Sequence, residues 1–293
     1  MIALGIDIGG SAVKAAVLRR GEQLWSGTSA RYSRPSRQDL SAALRALLAS
    51  SPLARDVPSA RVGLCVPGII DEASGKITHS TNVPSLIDAQ LDLLIRSALP
   101  VGFEMQHGPS VFSDAHAAAF DFAVTTQVQG RLLAISLGTG IGAAALDDGH
   151  LVILTGRSSG HFGQLDVTVP GIEPAPIGPD GGRGGLEAYL GAPALAARHG
   201  DIARWLASLR GDEPELAALA RAIRIGHAIY RPQHIALLGG IGTRLSPILE
   251  SLRDAVASSL TSLARLGWTL SCGRSDHHAA CGAARLALNA RVP

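Results

Sequence analysis

Two short apolar runs open the chain, Leu4 to Ile8 and Ala12 to Leu18, with Gly9, Gly10 and Ser11 between them and Asp7 as the only charge in the first run. Such runs, separated by small residues, predict a β-hairpin with a bare tip. Glu22 to Arg31 predicts a third strand and so completes a meander. The pattern returns in LAISLGTGIGAAAL, Leu133 to Leu146, where Leu133 corresponds to Leu4, Ile135 to Ile6 and Gly138 to Gly9. Recurrence over that distance predicts a duplicated domain rather than a solenoid of short repeats.

Between and after the two hairpins, the periodicity changes. Gln38 to Leu48 carries Leu40, Ala43, Leu44 and Leu47 at helical spacing, and Arg61 to Ile70 predicts a buried strand running into a Pro-Gly turn. A short strand at Gly75 to His79, the polar loop Ser80 to Leu86, a helix at Asp88 to Ala98 and a strand at Val101 to Gln106 follow. Pro109 or Ser110 is expected to open a helix whose buried stripe is Phe112, Ala115, Ala119 and Phe122. Further on, the pattern predicts a helix from Glu187 to about His199 and another from Pro214 to Tyr230. A strand at His234 to Leu238 enters Gly239 and Gly240, and a helix at about Pro247 to Leu263 and a strand at Trp268 to Cys272 come last. Pro170 to Gly185 is too rich in proline and glycine for regular structure and reads as an ordered or mobile loop.

Composition narrows the class. At 293 residues the chain is long for one core, so two domains are expected. Basic and acidic residues, 26 and 24, are mixed and give a net charge of +2, and aromatics make up only 4%. With no basic block and no stacking surface, nucleic acid is not an expected partner. The apolar runs are interrupted well before membrane-spanning length, and Met1 leads directly into the first strand without a signal-peptide pattern, so a cytoplasmic protein with no membrane partner is expected. Cys65, Cys272 and Cys281 have no metal-type spacing and fit buried, reduced thiols.

The bare tips carry the candidate chemistry. Adjacent glycines let backbone N–H groups face outward, where a phosphate can approach closely. Asp7 beside such an anion makes sense with a divalent cation or its waters between them; otherwise the stretch is a tight turn with an acidic, solvent-facing residue. Two tips facing one cleft would suit a polyphosphate. Asp114, in the first turn of its helix, either complements the helix dipole or serves as a base, because phosphoryl transfer to an alcohol must remove the hydroxyl proton. Asn82, ahead of a proline, is a turn residue or a ligand. Asp276, His277 and His278 are adjacent rather than helically spaced, so no metal site is expected from them and His161.

Taken in order, Asp7-Ile8-Gly9-Gly10-Ser11 with Lys14, VPGIID, Asn82-Val83-Pro84, Ser113-Asp114-Ala115, Leu137-Gly138-Thr139-Gly140-Ile141-Gly142, LLGGIG at Leu237 to Gly242 and the terminal AACGAARLAL resemble the ROK-family sugar kinases. The match runs from the first residue to Leu288. The resemblance implies an α/β fold of the two-domain, actin-like ATPase (ribonuclease H-like) type, with a duplicated β-meander core and an interdomain cleft. The domains would be 1–118, joined by a final helix at about 279–293 that packs back on it, and 119–278. It implies ATP-dependent phosphorylation of a sugar hydroxyl, with Asp114 as catalytic base. Asp7, Gly9, Gly10, Ser11, Lys14, Gly138, Thr139, Gly140, Gly239 and Gly240 would bind ATP, and Asp7 would hold Mg²⁺ through water. Asn82, Ser113, Asp114, Gln164 and Glu187 would face the sugar. The resemblance also suggests a homodimer.

Departures from the family pattern bear on the substrate. Where the family has a Gly-Glu-x-Gly-His stretch, this chain reads SSGHFGQLDVTV from Ser158 to Val169, and Gln164 can stand at the Glu position, keeping hydrogen-bonding capacity without the charge. The family's zinc-binding cysteine motif is replaced by GPDGGRGGLEAYLG, so no structural zinc is expected, and Glu187 is a sugar ligand or a first-turn acid. Substrate choice is expected to differ from that of glucose-type members. A catalytically inactive nucleotide- or sugar-binding regulatory protein of the same fold is the alternative, although the chain opens at the first strand without a DNA-binding segment, and a pure binding protein has no need of a base.

Overall fold

The computed structural model describes residues 1–54, 59–71, 74, 76–154, 159–171, 174–179 and 181–290. Gly75 and Ser158, each at the edge of an expected segment, lie outside the described residues, as do positions 172, 173 and 180 of the Pro/Gly loop. In chain order the elements begin with β1 (Ile2–Ile8), β2 (Val13–Arg19), β3 (Glu22–Thr28), α1 (Arg37–Ala49), β4 (Ser59–Cys65), β5 (Ile69–Ile70), β6 (Ile77–His79) and α2 (Leu91–Ala98). Then come β7 (Glu104–Met105), β8 (Ser110–Phe112), α3 (Asp114–Thr126), β9 (Arg131–Leu137), β10 (Ile141–Asp147), β11 (His150–Leu151), α4 (Leu186–Leu190), α5 (Ala192–His199) and α6 (Ile202–Ala207). The last are α7 (Pro214–Tyr230), β12 (His234–Leu238), α8 (Gly239–Gly242), α9 (Leu249–Ser259), β13 (Thr269–Cys272) and α10 (His278–Asn289). They group into two compact units, 1–121 with 277–293, and 122–276.

In the first unit the sheet order is β3-β2-β1-β4-β7, with β8 also paired to β4. β1 and β2 are antiparallel, whereas β4 runs parallel to β1 and β8 runs parallel to β4. β1 is buried almost throughout, as a strand covered on both faces must be. On one face Leu4, Ile6, Ile8, Val13 and Val17 pack with Leu40, Leu44 and Leu48 of α1. On the other, Ala3, Ala16 and Leu18 meet Ala280, Cys281 and Ala284 of α10. That second layer is thin because small residues let backbones touch: a Cβ at Gly63 would lie 2.0 Å from Ala283 O, and one at Gly282 would lie 1.7 Å from Ala117 O.

The second unit repeats the sheet as β11-β10-β9-β12-β13, again with an antiparallel hairpin followed by parallel strands. Its core is built of larger side chains, among them Leu133, Ile135, Tyr189, Trp205, Leu219, Ile223 and Trp268.

Several expected boundaries move. Ser110 to Phe112 does not open a helix; it pairs with Gly63 to Cys65 as β8, because the edge of β4 offers it backbone hydrogen bonds. Phe112 is therefore a strand residue, and α3 begins at Asp114, capped by Ser113 Oγ, which accepts from His116 N–H at 3.2 Å. The strand expected through Ile70 ends at Cys65, before the Pro67-Gly68 turn. The strand expected over Val101 to Gln106 shrinks to β7, and the helix expected from Asp88 starts at Leu91. The helix from Glu187 breaks at Gly191, whose own N–H caps Glu187 O before Ala192 and Pro193 start the next one. The helix expected over Pro247 to Leu263 is α9, ending at Ser259.

Candidate active site

In the first unit, three parallel strands align so that Asp7 of β1 stands beside Cys65 of β4, and Cys65 beside Phe112 of β8. Asp7, Ser113 and Asp114 therefore leave the sheet at its carboxyl edge, the usual place for a ligand in such sheets. Asp114 is the first residue of α3, and its Oδ1 accepts the Ala115 N–H at 2.8 Å, which orients the carboxylate. The register sets Cys65 between the strands that lead to the two carboxylates. Burial, then Asp7, then Asp114 push the Cys65 thiol well above its ordinary range. Burial and then the charge of Asp114 lift Asp7 to about 7, while Lys14, its partner across the hairpin, pulls the other way. Asp114 reaches solvent, yet the protein packed around it raises its carboxyl as well, against the Ala115 hydrogen bond.

Two carboxylates, the charge of Asp114 raising Asp7, with Lys14 opposite, form a hard-oxygen, electronegative corner. A divalent cation such as Mg²⁺ fits that donor chemistry. Beside it, the tip of the hairpin closes on itself through Gly9 N–H to Ala12 O at 3.0 Å. Gly9, Gly10 and Ser11 are half-buried there. Asn82 sits in the same unit on the turn before Pro84, anchored by buried Val83 and Leu86.

The second unit gathers the remaining candidates. Gly138 N–H donates to Gly140 O at 3.1 Å, closing a second tip that carries Thr139. Glu187, second residue of α4, accepts the Ile141 N–H at 3.0 Å through Oε2, and Ala192 N–H donates to Gly138 O at 2.9 Å. Glu187 is thus fastened to the hairpin it was not expected to touch. Gly140 packs close to the same carboxylate, and a Cβ there would lie 3.2 Å from Glu187 Oε2. Gln164 is exposed, on the turn that follows His161. Gly239 adopts φ +78°, and a Cβ on it would lie 2.5 Å from Leu137 O, so α8 begins hard against the tip end of the hairpin. Next to Gly240, Asp276 accepts from Thr243 Oγ1 at 2.9 Å and pairs with Arg244.

The described part of the Pro/Gly loop is folded. Val167 N–H bonds Gly184 O, Gly184 N–H bonds Pro176 O and Gly178 N–H bonds Gly182 O, while Asp166 accepts from Thr168 Oγ1 at 2.6 Å. Of the histidines, His278 meets Asp121 at 2.7 Å, where Arg285 also bonds, and His277 meets Thr28 at 3.1 Å. Among the described residues no group of three or more His, Cys, Asp or Glu side chains could hold a metal ion. Nor is any helix among them long and apolar enough to cross a membrane.

Tyr32, which no pattern in the chain singles out, donates its hydroxyl to Gly9 O at 2.7 Å. A single tyrosine among Arg31, Ser33 and Arg34 has no periodic signal, so only the folded chain shows its target.

A duplicated meander with glycine hairpins at the carboxyl edges defines an α/β fold of the actin-like sugar-kinase class. The chain belongs to the ROK family, whose model matches residues 3–290. It is 26% identical to a glucokinase from Thermotoga maritima over 86% of each chain. Its fold matches a ROK family glucokinase from Streptomyces griseus, solved with glucose and AMPPNP, at a TM-score of 0.72 and 20% identity, over 99% of this chain and 100% of that one. It also matches a ROK family transcriptional regulator, a homologue of the Escherichia coli MLC protein, at a TM-score of 0.67 and 17% identity, over 98% of this chain and 78% of that one.

Proposed function

We propose that this protein transfers the terminal phosphoryl group of ATP to a hydroxyl of a sugar or sugar derivative. The observation that carries the reading is the pair of carboxylates, Asp7 and Asp114, both raised in proton affinity at one sheet edge beside a glycine hairpin. Asp114, oriented by the Ala115 N–H, takes the proton from the accepting hydroxyl; a carboxylate raised above its usual range is a stronger base for that step. Gly10 and Ser11 in one unit and Thr139 and Gly140 in the other offer backbone N–H groups to phosphate oxygens, Gly9 and Gly138 leave room for the anion's approach, and Lys14 adds positive charge. Asp7 would hold Mg²⁺ through its waters, and the ion, when bound, neutralises charge on the phosphates. Gly239 and Gly240 receive the adenosine. Asn82, Ser113, Gln164 and Glu187 bind the sugar hydroxyls, and Gln164 in place of an acid shifts the choice of sugar. Relatives named as glucokinases support the reaction class.

The test is ATP turnover with Mg²⁺ across monosaccharides, N-acyl amino sugars and polyols, read by phosphorus NMR of the product, with Asp114→Asn as blank. A new phosphate ester formed by the wild type and absent from the blank supports the kinase. ATP binding without transfer to any acceptor would favour a regulatory protein of the same fold.

A further inference from the structure

We propose that Tyr32 is a positioning residue that sets the first glycine hairpin to receive nucleotide phosphates, a role that rests on the nucleotide-binding reading above. The segment from Ser29 to Tyr32 lies along the hairpin as a strap. At its near end, Ser29 N–H donates to Val13 O at 2.9 Å, and Ser29 Oγ accepts the Val13 N–H at 3.0 Å. At its far end Tyr32 holds the tip twice, through its N–H to Ser11 O at 2.9 Å and its hydroxyl to Gly9 O at 2.7 Å.

These bonds fix which way the tip's peptides face. In a trans peptide the C=O and the following N–H point in opposite directions. Tying Gly9 O to the phenol turns the Gly10 N–H away from the strap, and tying Ser11 O to Tyr32 N–H does the same for Ala12. Gly9 N–H is spent on Ala12 O. An approaching phosphate thus meets amide hydrogens rather than carbonyl oxygens, the arrangement that binds anions. The ring packs against the core of the first unit, so the hydroxyl is delivered from a fixed base. Burial and then the charge of Asp7 push the phenol's ionisation upward, so it remains a donor at any working pH.

Tyr32→Phe removes the hydroxyl and keeps the ring. Calorimetric titration of wild type and variant with AMPPNP and Mg²⁺, and separately with adenosine, tests the role, with the thermal midpoint of each protein as a control on folding. The expected result is an AMPPNP Kd raised about 3- to 10-fold, the scale of one hydrogen bond, an adenosine Kd within about 2-fold of wild type and a single cooperative melt whose midpoint falls by no more than about 4 °C. Equal AMPPNP binding in both proteins, or equal loss for AMPPNP and adenosine, would overturn the assignment of Tyr32 and leave the nucleotide reading standing. Failure of the wild type itself to bind AMPPNP would instead overturn the nucleotide reading, and this role with it.

Discussion

The two glycine hairpins are built on one plan. β1 with β2 and β9 with β10 show the same sequence of buried and half-buried positions, apart from their first residue, and the same pairing, Ile2 with Arg19 through Ile8 with Val13, and Arg131 with Asp147 through Leu137 with Ile141. They differ at the half-buried pair near the tip: Asp7 faces Lys14 in the first, and Ser136 faces Gly142 in the second. They differ also in what holds the tip. Tyr32 reaches Gly9 and Ser11 from the segment after β3, whereas Glu187 and Ala192 reach Ile141 and Gly138 from the α4–α5 junction. An apolar pattern can therefore specify the same backbone twice and leave the chemistry to a few half-buried positions. In this account the first hairpin carries charge for the reaction and the second carries only backbone donors.

The largest effect should separate Asp7 from Ser136. Asp7→Asn is expected to lower kcat/KM about 100-fold or more, the scale of a lost electrostatic group in an active site. Ser136→Ala at the matching place should change it by less than about 3-fold. It should not destabilise the fold, because Ser136 Oγ is buried with no hydrogen-bond partner among the described residues. Steady-state kinetics and melting curves of the two variants decide it, and equal losses would erase the proposed division of labour.

Packing gives the next effect. The first sheet is backed by a helix of small residues and the second by large ones, so Gly282→Ala, which drives a methyl into Ala117 O, should cost about 2–3 kcal/mol. A chemical denaturation midpoint unchanged from wild type would show that α10 can shift outward freely.

Asp7 in the first hairpin should also make stability depend on pH. Asp7 ionises near 7 in the folded chain against 3.8 ordinarily, so the unfolded chain loses its proton first and the native state holds more protons between those values. Stability contributed by this group therefore falls as pH rises from about 4 to about 7. Asp7→Asn should match wild type at pH 4 and exceed it by about 1–2 kcal/mol at pH 8, a figure reduced from the full shift because the side chain is partly solvated. Ser136→Ala should show no such trend. A stability gain for Asp7→Asn that is the same at both pH values would place its origin elsewhere.

The smallest effect concerns the second strap. Glu187→Gln keeps an acceptor for the Ile141 N–H but loses the charge that strengthens the bond. The AMPPNP Kd should rise about 3- to 10-fold, measured by titration, and affinity equal to wild type would limit Glu187 to the sugar.

Where an element is long or strongly patterned, its bounds are legible in the chain: α7 from Pro214 to Tyr230 and β12 from His234 to Leu238 lie where the apolar spacing puts them. β8 was hidden because three residues carry too little pattern, and it is the open edge of β4 that makes them a strand. The motif order names Asp7, Asp114 and both glycine tips, and the parallel register then accounts for why Asp7 and Asp114 share an edge. Tyr32 and the bond from Glu187 to Ile141 could not be foreseen, since each joins a side chain to a backbone group distant in sequence. Gly63 and Gly282 look like ordinary strand and helix residues until the packing of α10 shows what a side chain would strike.

Asp114 is proposed to remove a proton from a hydroxyl during phosphoryl transfer. Its most direct test is Asp114→Asn, assayed with the best acceptor from the sugar panel, with kcat and the AMPPNP Kd measured on the same preparation. The expected result is kcat down by about 100-fold or more, the scale of a general base, with nucleotide affinity within about 2-fold of wild type. A variant that turns over at near the wild-type rate would contradict it.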